Sequence, residues 1–150
     1  MANACLVLPG LGADLGTASG WVDAALSRKI DQWSQIPKGL LEYRQGNFQV
    51  ATQWMESVVA KEISPALKAE SWMVLAMARW QLHQPDAAQA ALASGAAIIE
   101  QQLQKTGGNL PYAKTAKTDW SFWIGAHALH REARLLIEGK APPDSFTKKL

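Results

Sequence analysis

The sequence predicts an all-α fold, and three observations carry the prediction. Twenty-five alanines and seventeen leucines outnumber the thirteen valines and isoleucines, a balance that favours helix over sheet. Apolar residues recur at three- and four-residue spacing between clear loop signals. No segment reads as a strand. With 150 residues, 48% hydrophobic and only 19% charged, the chain is expected to form one domain with its own core.

Each helix has its own signals. Asp14 follows the turn Pro9-Gly10-Leu11-Gly12 and is placed to cap a helix running to about residue 29. Ser34 is the expected cap of the next, with Pro37 tolerated in the first turn, and Ile36, Leu40, Leu41 and Tyr43 follow at helical spacing. Gly46-Asn47 interrupts the pattern. Phe48, Ala51, Trp54, Met55, Val58 and Val59 then trace an apolar stripe to about residue 62. Ser64-Pro65 combines a cap with proline at the first helical position. The stripe Leu67, Trp72, Leu75, Ala76, Met77 and Trp80 continues from there to Leu82. After Gln84-Pro85-Asp86, Ala88, Leu92, Ala96, Ile99 and Leu103 define a helix to about residue 105. Beyond the loop 106–111, Thr118 or Asp119 is the expected cap of a last helix, which carries Trp120, Trp123, Ala126, Leu129, Ala133 and Leu136 and stops at Gly139. Residues 139–150 read as a flexible tail.

Composition excludes several classes. One cysteine, Cys5, cannot build a cystine framework or a multi-cysteine zinc site, and a buried structural thiol is expected of it. A net charge of +2 with scattered Lys and Arg is too weak for nucleic acid. No apolar run approaches the ~18–20 residues of a membrane span. Without a basic n-region before the short apolar start, the expected compartment is cytoplasmic.

Self-comparison adds the most. At an offset of 37, Gln35 lies over Trp72, Gly39 over Ala76, Tyr43 over Trp80, Gly46 over His83, Phe48 over Pro85, Ala51 over Ala88 and Met55 over Leu92. A third, partial copy sets Ala18, Val22 and Ala25 over Ala51, Met55 and Val58. Small residues recur where two helices of a hairpin must approach closely. The pattern resembles the tetratricopeptide repeat, best in Trp72-x2-Leu75-Ala76 with Ala88-x3-Leu92, less well in Gly39 and Tyr43 with Ala51-x3-Met55. Gln35 and Lys38 depart from it, the closing proline is missing from both copies, and 37 exceeds the usual 34.

Short phrases in order, including Ala4-Cys5-Leu6-Val7-Leu8-Pro9-Gly10, Glu42-Tyr43-Arg44, Leu75-Ala76-Met77-Ala78 and Asp119-Trp120, look like the C-terminal helical-repeat region of large bacterial proteins. In such proteins the repeats follow a kinase or a propeller domain. The resemblance implies a right-handed α-α superhelix over residues 1–138. Its hairpins would span about 1–30, 31–63 and 64–105, with a capping helix at 118–138. It also implies that residues 2–8 are the remnant of an inner helix and that Met1 is an artificial start.

The resemblance further implies protein–protein interaction rather than catalysis, through a groove of inner helices that takes a peptide or partner protein. Parts of a parent chain and a second copy of this one are also candidate partners. Groove candidates are Trp33, Ile36, Leu40, Tyr43 and Arg44, then Glu70, Met73, Met77, Trp80 and Gln81, with Trp123 and His127 on the last helix. Aromatic, Met and Arg residues suit such surfaces. Each is weighed against simple packing between repeats. Trp72, Trp54, Trp21 and Trp120 are expected to pack. The alternatives to a binding groove are a structural or oligomerisation module and a helical metal-dependent enzyme using His127 and His130. His127-x-x-His130 shares a helical face, yet a metal would need a third ligand that the sequence does not suggest, so no cofactor is expected. His83 is expected as a turn residue where glycine is usual. Lys105, Lys114 and Lys117 read as a solvated basic loop.

Overall fold

The computed structural model describes residues 6–7, 14–107 and 120–139. Six helices account for nearly all of them, and no strand occurs among the described residues. They are α1 (Leu15–Arg28), α2 (Gln32–Arg44), α3 (Phe48–Val59), α4 (Pro65–Gln81), α5 (Pro85–Lys105) and α6 (Trp120–Glu138). The all-α expectation holds. Expectations for Cys5, the caps Thr118 and Asp119, Lys114, Lys117, the side chain of Trp120 and the tail from 140 lie outside the described residues.

Local chemistry sets the boundaries. The Asp14 carboxylate accepts from the Gly16 amide at 3.1 Å and caps α1. Ser64 accepts from the Leu67 amide, and Pro65 opens α4. At α2 the cap is Asp31, not Ser34. The Asp31 carboxylate accepts from the amides of Trp33 and Ser34, and the Ser34 hydroxyl accepts from the Asp31 amide in a capping box. Asp31 takes the position because its carboxylate can serve two amides at once. Pro37 therefore lies inside α2 rather than in its first turn, and removes the N–H that would bond the Trp33 carbonyl. α3 stops at Val59, three residues short of the expected end.

The 37-residue offset is written into the backbone. Between α2 and α3, the amides of Gln45, Gly46 and Asn47 donate to the carbonyls of Leu41, Tyr43 and Glu42. Between α4 and α5, the amides of Leu82, His83 and Gln84 donate to Ala78, Trp80 and Arg79, each partner displaced by 37. Both turns have the bond pattern of a Schellman close, with one left-handed residue: Gly46 at φ +84° and His83 at φ +58°. Asn47 and Gln84 then accept the first helical bonds of α3 and α5 from Ala51 and Ala88.

Packing follows chain order. α2 contacts α1, α3 and α4; α4 contacts α2, α3, α5 and α6; α5 contacts α6. α4 is the central post, with Leu67, Ala69, Met73, Val74, Leu75, Ala76, Met77 and Ala78 all buried. The small residues aligned by the repeat, Gly39, Ala51, Ala76 and Ala88, are buried too. Gly95 brings α5 onto α4 so closely that a Cβ there would lie 3.0 Å from Trp72 Cβ. Trp21 departs from expectation: it is 47% exposed, because among the described helices α1 packs against α2 alone and leaves this face uncovered.

Candidate interaction cleft

α2 and α6 both lean on α4, and side chains bridge them over it at two points. At one end the rings of Trp33 and Phe122 meet edge-on, with centroids 5.0 Å apart. At the other, Arg44 forms a two-pronged ion pair with Glu132: Nη1 to Oε1, and Nη2 to Oε2 at 2.7 Å. The pairs occur in the same order along both helices, so α2 and α6 run in the same direction. They form the walls of a cleft floored by α4.

Two residues of the chain itself lie between these walls. Leu6 and Val7 are helical and almost fully buried, at 3% and 6% exposure. Arg44 Nε donates to the Leu6 carbonyl at 3.0 Å and Nη2 to the Val7 carbonyl at 3.4 Å. On the opposite wall, Val7 Cγ2 lies 3.6 Å from where a Cβ on Gly125 would stand. The same Cβ would lie 2.5 Å from Oε1 of Glu70, a fully buried carboxylate on α4. Gly125 is thus the gap that lets both Val7 and Glu70 come against α6. Leu6 and Val7 thus lie against Arg44 of α2, and Val7 also comes close to α6 at Gly125.

The groove candidates fall into two groups. Ile36, Leu40, Met73 and Met77 are buried to 1% or less, and Tyr43 and Trp123 to 8% and 4%, so in this conformation they face the chain's own core rather than a partner. The reason is geometric: α2, α3, α5 and α6 all pack on α4, so the apolar faces turned toward it are core as well. Trp80 is half-buried against the core, and Gln81 is exposed. Trp33, at 48% exposure, keeps a free face at the mouth of the cleft. Arg44 is there, paired and holding Leu6 and Val7, with its guanidinium 5.5 Å from the Tyr43 ring centre. His127 is half-buried on α6.

Charges around the cleft are matched. Lys38 reaches Glu42 at 2.9 Å and Asp23 at 3.6 Å, and the Glu42 hydrogen bond raises the lysine's pKa. Burial pushes Glu42 up, but hydrogen bonds from Lys38 and Asn47 outweigh it, and its pKa falls below the usual value. Burial raises the Tyr43 hydroxyl. Burial lowers both His127 and His130, and Arg134 and His127 add to the effect at His130. Among the described residues, no three His, Cys, Asp or Glu side chains cluster as a metal site would require. No described helix is long and apolar enough to cross a membrane.

Sequence reasoning missed Leu6, Val7, Gly125, Phe122 and Glu132 as parts of one site. Their signal is weak, since a contact between residues 88 apart leaves no spacing to read. Comparison with protein-family models, curated proteins and solved structures returns no match.

Proposed function

We propose that this chain is a protein-interaction module, a right-handed stack of tetratricopeptide-like hairpins whose inner helices α2, α4 and α6 receive a peptide or partner segment. It acts as a scaffold without chemistry of its own, as a cytoplasmic module of a larger bacterial protein. The observation that carries this reading is the cleft itself, which holds a dipeptide by side-chain-to-backbone hydrogen bonds from Arg44. The repetition of the hairpin turn at 37 residues supports the repeat architecture.

A peptide library selected on the protein tests the function. Selected binders are expected to shift NMR signals of Trp33, Trp80 and His127. Binders that instead shift only α3 and the outer face of α5, or no enrichment, would end the groove reading. The exposed apolar side chains Trp21, Ile30 and Trp33 at the α1–α2 end favour a second reading, in which another copy stacks there. Sedimentation separates the two, since a monomer at high concentration removes self-association.

A further inference from the structure

We propose that residues Leu6 and Val7 act as an in-cis ligand of the cleft, exchangeable for a partner peptide carrying two adjacent aliphatic residues. The inference rests on the groove reading above and names the chemistry of its occupant.

Three observations point to an occupant rather than a structural element. Arg44 of α2 bonds the carbonyls of both Leu6 and Val7, while Val7 Cγ2 lies 3.6 Å from where a Cβ on Gly125 of α6 would stand. The pair thus sits between two helices that meet only through side chains. Arg44 holds them through their carbonyls, a mode that any peptide of the same backbone shape can satisfy. The specificity then comes from the buried side chains: a leucine, and a valine methyl against the gap at Gly125. Finally, Arg44 is also paired with Glu132 by two bonds that do not involve the carbonyls, a pairing it can keep when they leave. Departure of the segment strands no unpaired guanidinium, so exchange costs little electrostatically.

The test uses the whole chain and a labelled synthetic peptide of residues 2–12 with serine at Cys5. In native-state hydrogen exchange, the Leu6 and Val7 amides are expected to be at least ~100-fold less protected than those of Met73–Met77, because the segment opens locally. In fluorescence anisotropy, the full chain carrying Leu6→Asp and Val7→Asp is expected to bind the peptide at least ~10-fold more tightly than the unaltered chain. Adding Arg44→Ala should abolish the gain, and a peptide with both aspartates should not bind.

Protection at Leu6 and Val7 equal to that of α4 would overturn this inference alone, marking the segment as core and leaving the library test of the groove to stand or fall by itself. Low protection together with no peptide binding by a still-helical Leu6→Asp, Val7→Asp chain would overturn both. Global unfolding of that variant also counts against the inference, since a displaced occupant leaves the helical hairpins folded.

Discussion

The bridge between Arg44 and Glu132 can be weighed by a double-mutant cycle. Arg44→Ala, Glu132→Ala and the double variant are compared in urea unfolding, followed by tryptophan fluorescence. The side chains are 13% and 27% exposed, so the pair lies between a solvated ion pair and a buried one. Exposed pairs contribute about 0.2–1 kcal/mol, and hydrogen bonds to charged groups about 1.5–3 kcal/mol. Two parallel bonds with water at one edge place the coupling at about 1.5 kcal/mol. With a slope of about 2 kcal/mol per molar urea, that is roughly 0.7 M in the midpoint. The cycle also isolates the second task of Arg44. In the Glu132→Ala background, Arg44→Ala should still cost about 2 kcal/mol, because the carbonyls of Leu6 and Val7 lose their donor. Additivity within ~0.3 kcal/mol would refute the bridge, and a negligible residual cost of Arg44→Ala would refute the hold on Leu6 and Val7.

Two further outcomes are expected. His83→Gly should raise stability by about 0.5–1 kcal/mol, or ~1–4 °C in Tm, because a left-handed residue other than glycine is strained, while Gly46→Ala should lower it comparably; calorimetry reads both. Burial lowers the His127 and His130 pKa values, so below pH 6.5 the unfolded chain takes up protons that the folded chain refuses. Stability should therefore fall as pH drops from 6.5 toward the folded-state values and stay flat in this respect above 6.5. The urea midpoint between pH 7.5 and 5.5 measures it, and replacing both histidines with glutamine should flatten the profile.

Much of the helical layout was legible because its signals are local. Ser64-Pro65 marks the start of α4, and the 37-residue alignment of Gly46 with His83 finds two turns that share every backbone bond. Competition misled elsewhere. Asp31 and Ser34 are both good caps three residues apart, and only the geometry shows that they cooperate, which moves Pro37 deeper into the helix. Burial was legible only in part. Periodicity shows that Met73 and Met77 are on an apolar face, yet on a helix packed by four others that face is buried in the chain's own core. The converse holds at Trp21, which α1, with α2 as its one neighbour among the described helices, leaves uncovered. The cleft was the least legible feature, because its walls and occupant come from three distant parts of the chain.

The two bridges between α2 and α6 also bear on how this molecule comes apart. A row of hairpins with contacts only between neighbours can fray from either end. Here Arg44 meets Glu132 across 88 residues and Trp33 meets Phe122 across a similar span, so the row is tied into a loop. Joining such distant points costs about 4 kcal/mol of chain entropy, which packing of α4 has already met by the time the bridges can form. The clasp is therefore expected to close late in folding and to open early in unfolding. Opening it at one end releases the strap that keeps the other from peeling, so all-or-none unfolding is expected of these helices.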